Sequence, residues 1–237
     1  MSFTNQGKLF VIEGMDGAGK QTQATLLKER LEKEGFPIIQ VSFPNYESES
    51  SVLVRKYLQK EFETSRRYVD NISFTKQMAS FYSVDRVATF LTPTYNGKPL
   101  MQLIREGMNV ICDRYTTSNI LHQSANLDNI DHISEFIAWI TELEYGHFGL
   151  PKPTEVFFLD VPPQLSMVNI KNRYGGLPKE DLLENINHLN KIFSIKDKLI
   201  EYCGWKQVKC YDTHMMLPVE KIHERIYLMT INKLLLE

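Results

Sequence analysis

The stretch GMDGAGKQT, Gly14 to Thr22, decides how this chain reads. Gly14 and Gly19 stand with four residues between them and Lys20 follows, which is the spacing of a phosphate-binding loop. Before it, KLFVIEG (8–14) is a short apolar run of the kind a buried parallel strand needs. After it, Ala24, Leu27 and Leu31 recur at helical spacing until Gly35 stops the run. Glycines let the main chain turn tightly, so that successive N–H groups converge on phosphate oxygens. The helix N-terminus adds partial positive charge at the same place. Lys20 supplies a point charge for the β- and γ-phosphates. The alternative, a glycine-rich turn with an exposed lysine, leaves the strand before and the helix after without a purpose.

One position departs from the pattern. The residue after the lysine in such loops carries a hydroxyl that ligates Mg²⁺, and here it is Gln21. An amide oxygen also ligates magnesium, from a longer side chain. Thr22 lies about 100° further round a helix of ~3.6 residues per turn, so it is expected to face the α-phosphate. The expectation is that phosphate is bound and that Mg²⁺ is held by Gln21 or through water.

Working outward, the chain has 237 residues, 43% of them hydrophobic, which fits one domain over 1–237 with an ample core and excludes disorder. A net charge of −2 gives no basic field to recruit a nucleic acid polymer. Cys112, Cys203 and Cys210 form no CxxC pair and read as reduced thiols rather than a disulfide framework. The N-terminal residues lack the features of a secretion signal, and no run approaches the ~20 apolar residues of a membrane span. A cytoplasmic protein with no membrane partner is expected. The six histidines show no metal spacing such as HExxH.

Further strands are expected at 37–43, 109–113, within PKPTEVFFLDVP, and at 205–212. Helices are expected at 51–61, 70–91, 100–107, 129–147, up to Arg173, around 186–200, and after Pro218. YGGLPKED (174–181) reads as a mobile loop within a small lid at roughly 173–186. Alternating strands and helices predict an α/β fold, a parallel sheet of about five strands with helices on both faces. Ligands in such sheets bind beyond the carboxyl ends of the strands. That rule singles out Glu13 to Lys20, Phe43 to Tyr46, Asp113 with Arg114, and Asp212.

FVIEGMDGAGKQTQATLLKERLEKEG resembles the opening of the thymidylate kinases, P-loop nucleoside monophosphate kinases, and other motifs follow in the same order. FPNYES stands where members have FP and then an arginine; FYSVDR (81–86) resembles F-x-A-[ND]-R. DRYTTSNILHQ (113–123) is similar to DRY-x-x-S-x-x-A-Y-Q, and GLPKPTEVFFLDVPP matches LPKPD plus a strand. The resemblance runs from about residue 8 to 173 and implies the P-loop NTPase fold. It implies ATP with Mg²⁺ as donor and a nucleoside monophosphate, dTMP first, as acceptor. ATP would lie on Gly14, Asp16, Gly17, Ala18, Gly19, Lys20, Gln21 and Thr22. The acceptor would meet Asp16, Phe43, Tyr46, Tyr82, Arg86, Arg114, Ser118 and Gln123. Lys20, Asp113, Arg114 and Arg173 would act on the transferring group, with Gln21 and, through water, Asp113 near the metal. Plain readings stand beside these: Asp16 as a helix cap, Tyr82 as core packing, Asp113–Arg114 as a surface ion pair.

The chain also departs from that family. Tyr46 replaces the arginine that clamps the acceptor phosphate, the P-loop has no arginine, and the lid offers only Arg173 with Lys171 and Lys179. Leu182 and Leu183 replace an Arg-Tyr pair. Two further readings follow, a deoxynucleoside kinase and a degenerate, non-catalytic nucleotide-binding relative. The first wants a carboxylate base just after strand two, where Glu47 is the nearest. A GTP-binding switch is excluded, since neither DxxG after strand three nor NKxD is present. NLDNIDHISEFIAWITELEYGH has an apolar side for either core packing or a homodimer.

Overall fold

The computed structural model describes residues 6–174 and 179–235, with the side chains of 173–174 and 179–185 left out. The chain groups into two compact units. The first comprises 42–108 and 114–152 with the short approach to Gly7, and the second 8–41, 109–113 and 153 onward. The chain crosses from one to the other between Asp113 and Arg114.

The second unit holds a five-stranded parallel sheet: β1 (Leu9–Gly14), β2 (Ile38–Ser42), β3 (Asn109–Asp113), β4 (Glu155–Asp160) and β5 (Lys206–Lys209), in the order β2-β3-β1-β4-β5. Every residue of β1 is buried, as a central strand covered on both faces requires. Register places Ile12 opposite Asp113 on one side and Gly14 opposite Leu159 on the other. The helices of this unit are α1 (Lys20–Lys33), α7 (Pro163–Tyr174), α8 (Lys179–Cys203) and α9 (Val219–Leu235). Ala24, Leu27 and Leu31 of α1 are fully buried with Phe10, Ile12, Ile111 and Phe157 of the sheet. Each such large side chain contributes about 1.5–3 kcal/mol of transfer free energy. Helices cover both faces of the sheet, and the P-loop NTPase fold expected from the sequence is the one observed.

The first unit is helical: α2 (Val52–Leu58), α3 (Asn71–Leu91), α4 (Leu100–Arg105), α5 (Thr116–Ser124) and α6 (Ile130–Thr141). Asp70 caps α3 by accepting from the Ser73 N–H, and Asn129 caps α6 by accepting from His132 N–H. Ile133, Phe136, Ile137 and Ile140 are buried within the chain itself, so the apolar side of α6 serves core packing.

The sequence expectations need three corrections. The strand expected at 205–212 ends at Lys209; β6 (Tyr211–Asp212) instead pairs antiparallel with β7 (Met215–Met216), which takes Asp212 out of the parallel sheet. The helix expected at 129–147 becomes a π-helical turn over Glu142–His147. α7 reaches Tyr174 and α8 begins at Lys179, so helix takes both ends of the 174–181 stretch expected as a loop. Within the lid assigned to 173–186, residues 175–178 and the side chains of Arg173, Lys179, Leu182 and Leu183 lie outside what is described.

Candidate active site

Two clusters, one in each unit, hold most of the residues picked out in the sequence; Asp212 lies in the β6–β7 hairpin and the Arg173 side chain is outside what is described. The first is the loop between β1 and α1. Its glycines are of two kinds. A Cβ at Gly17 would lie 2.4 Å from the Ser166 carbonyl oxygen of α7, so close packing requires glycine there. Asn169 Nδ2 donates to the Gly17 carbonyl at 2.8 Å and fixes the same contact from the helix side. Gly19 has open space around it, but its φ of 89° is left-handed, a conformation that favours glycine. It caps α1 without any side-chain bond, so no side chain of the cap residue takes up the first N–H groups of the helix.

Lys20 is buried, and its ammonium donates to the carbonyls of Gly14 and Met15, each at 2.9 Å, with Asp16 Oδ1 3.9 Å away. Glu13, fully buried, accepts from Gly14 N–H at 2.9 Å and supports the start of the loop. Asp16, Gln21 and Thr22 are exposed, while Ala18 is buried. Asp113, at the end of β3, is partly buried in the strand next to β1. One cation, Lys20, thus stands at the start of α1 with three carboxylates, Glu13, Asp16 and Asp113, in the same unit.

The second cluster lies in the helical unit and is built from side chains. Phe43 is buried and stacks on Phe90, ring centroids 6.0 Å apart, so it packs in the core. The turn after it is pinned by Asp85, whose Oδ2 accepts from Asn45 N–H at 2.8 Å and whose Oδ1 accepts from Ser50 Oγ at 2.6 Å. Arg55 donates to the Tyr46 carbonyl at 2.8 Å from the other side. Tyr46 itself is exposed, and Arg66 lies over the Phe74 ring.

Tyr82 meets Tyr57 edge to face at 6.2 Å. Burial raises the Tyr82 phenol well above its ordinary value, with the nearby Tyr57 and Tyr46 adding to the rise and Arg114 and Arg86 opposing it. Burial likewise raises Tyr57, against a hydrogen bond with the side chain of the buried Gln123. Tyr46, Tyr57, Arg86 and Arg114 are thus each within electrostatic reach of Tyr82. Arg114 adopts a left-handed φ of 68° and its Nη1 lies 2.9 Å from His122 Nε2. An arginine only donates, so that nitrogen of His122 accepts and the imidazole is neutral in this contact. Ser118, half-buried, follows on α5.

Arg86 is where the structure adds most. Its side chain is 2% exposed and its guanidinium forks onto Glu144, with Nε donating to Oε2 at 2.8 Å and Nη2 to Oε1. Nη1 reaches the Tyr115 carbonyl at 3.4 Å. Burial pulls the Arg86 pKa down most strongly, but the charge and the hydrogen bond of Glu144, with Tyr115 and Tyr145, together outweigh it and the net direction is upward. Ser83 Oγ at 2.7 Å, Thr116 Oγ1 and Asn119 Nδ2 at 3.4 Å also donate to the fully buried Glu144 carboxylate. Sequence reasoning missed Glu144, Asp85, Tyr57 and His122. The one available signal was charge inside an apolar helical pattern, as in FYSVDRVATF and FIAWITELEY.

Comparison with known proteins decides the kinship. A family model described as "Thymidylate kinase" matches residues 12–226, most of the chain. The chain belongs to the thymidylate kinase family. Similar proteins include the thymidylate kinase of Plasmodium falciparum, 28% identical over 79% of this chain and 75% of the relative. The thymidylate kinase of Caenorhabditis elegans is 27% identical over 86% of this chain and 83% of its own. A probable thymidylate kinase of Pyrococcus abyssi is 28% identical over 97% of this chain and 98% of its own, so thymidylate kinase similarity extends over nearly the whole length. As a member of the thymidylate kinase family the chain is a nucleotide-binding phosphotransferase. Among the described residues no helix is long and apolar enough to cross a membrane.

Proposed function

We propose that this chain transfers the γ-phosphoryl group of ATP to dTMP, releasing ADP and dTDP. The observation that carries the reading is the β1–α1 loop, where Gly19 in a left-handed conformation opens the N-terminus of α1 beside the buried Lys20. The N–H groups of a helix N-terminus and an ammonium suit the charge of a triphosphate. The reaction needs no general base, because the attacking oxygen of a monophosphate is already anionic. Positioning and charge stabilisation therefore carry the rate. In this reading Lys20 holds the β- and γ-phosphates, Arg114 offers its guanidinium to the transferring group, and Arg173 is a further candidate cation. Asp16, Phe43, Tyr46, Tyr82, Arg86, Ser118 and Gln123 serve the acceptor side, Phe43 by packing beneath it.

Magnesium fits the residues present. Asp113 and Gln21 offer hard oxygen donors in the same unit as the loop. Among the described residues no three His, Cys, Asp or Glu gather into a metal cage. Mg²⁺ is commonly held by one or two such oxygens together with phosphate and water. Gln21, and Asp113 through water, would hold the ion, which when bound spreads the negative charge of the β- and γ-phosphates.

A cytoplasmic setting suits reduced thiols, and burial raises Cys210 to about 12 and Cys203 to about 11, which keeps both protonated. A homodimer has one feature in its favour: Val84 and Leu91 are exposed, apolar and seven residues apart on α3. Sedimentation at micromolar concentration decides that point. The test of the reaction is ADP release with ATP, Mg²⁺ and a panel of nucleoside monophosphates and nucleosides. dTMP is expected to be the best acceptor. Phosphorylation of thymidine but not dTMP would make the chain a deoxynucleoside kinase, and nucleotide binding without turnover would make it a non-catalytic relative.

A further inference from the structure

We infer that Glu144 is a positioning residue for the acceptor: it fixes the guanidinium of Arg86 and ties together the two helices that form the acceptor side. This rests on the reading of α3 and α5 given above. Four residues donate to this one buried carboxylate. Ser83 and Arg86 belong to α3, which also carries Tyr82, and Thr116 and Asn119 belong to α5, which also carries Ser118 and Gln123. Glu144 is therefore the common anchor of the aromatic and amide groups that would meet a base.

Stability alone does not account for such an arrangement. A buried ion pair gives up hydration on both partners, and apolar residues of similar volume often replace it without loss. What the pair does provide is direction. With Nε and Nη2 held by Glu144 and Nη1 drawn to the Tyr115 carbonyl, the guanidinium plane has one orientation. Its remaining N–H groups are donors at a fixed place, as an acceptor oxygen requires. The backbone supports the same reading. Glu144 lies in a π-helical turn, a conformation frequent at functional sites, and Leu150 N–H donates to the Glu144 carbonyl at 2.9 Å.

The test is a split between the two substrates. Glu144→Gln keeps the shape and removes the charge that orients Arg86. It is expected to raise KM for dTMP about tenfold while leaving KM for ATP within about twofold, because the loss is confined to acceptor positioning. Ser83→Ala removes one donor to Oε1, keeps the ion pair, and provides the check if the glutamine variant does not fold. It is expected to raise KM for dTMP about two- to fivefold at unchanged KM for ATP. A purely structural role would lower melting temperature and active fraction and leave both KM values alone, and that result in either folded variant overturns the inference. If the wild-type chain turns over dTMP and the split is absent, only the role of Glu144 falls. If the wild-type chain does not turn over dTMP, the proposed reaction falls and this inference with it.

Discussion

In the proposed reading, the loop between β1 and α1 and the network around Glu144 would hold a charged nucleotide by opposite means. The loop uses main-chain groups and a single ammonium, and its geometry is dictated by Gly17 and Gly19. The network uses side chains from α3, α5 and the π-helical turn, buried where an unpaired charge would be costly. A main-chain site tolerates change at most side chains but at very few glycines. A side-chain site of this type depends on each partner in turn. The contrast explains how the loop can dispense with the usual hydroxyl at Gln21, while nothing around Arg86 is spare.

The largest expected effect comes from breaking the network on one side only. Glu144→Leu leaves the Arg86 guanidinium buried without its counter-charge and should cost about 3–5 kcal/mol of stability in urea unfolding. Adding Arg86→Met should recover most of that stability without recovering dTMP turnover, which separates folding from positioning. Next comes the loop's cation: Lys20→Ala should lower kcat about 10²–10³-fold with little change in melting temperature. The glycines sharpen the comparison further. Gly17→Ala drives a Cβ against Ser166 and should destabilise by about 2 kcal/mol. Gly19→Ala meets no atom and should cost only about 1 kcal/mol for the left-handed conformation, so the ordering of the two melting temperatures tests the packing argument.

The smallest effect lies away from both clusters. Burial and then Arg30 hold the His223 pKa below its ordinary 6.5. Below pH 6.5 the unfolded chain takes up a proton that the folded chain refuses, so this residue's contribution falls as pH drops toward its folded pKa. Replacing it, His223→Gln, should flatten the melting temperature between pH 7 and pH 5.5 relative to wild type.

The sheet and the loop were legible because their physics is local. LFVIEG (Leu9–Gly14) is buried along its whole length and reads as such, and the glycine spacing after it marks the proposed phosphate site. Asp113 and Arg114 were visible as polar residues directly after a strand. The side-chain cluster was only half legible. Arg86 stood out as charge in an apolar helix, but its partner lies 58 residues away, and no local pattern links them. The π-helical turn defeats a 3.6-residue reading of 129–147, because it shifts Glu144 off the expected face. WKQVKCYD misled for a related reason: its alternating residues fit one strand, while the hairpin that takes Tyr211 and Asp212 is fixed by pairing with Met215 and Met216. For Arg173 and the rest of the lid, the described residues offer no comparison.

The contact between Gly17 and α7 makes the helix an internal gauge of the loop. With Asn169 bonded to the Gly17 carbonyl and the Ser166 carbonyl where a Cβ on Gly17 would stand, a shift of the turn is expected to be felt by the amide protons of α7. If the loop holds nucleotide as proposed, deuterium uptake along α7 should report its occupancy without a label, a chromophore or a coupled assay.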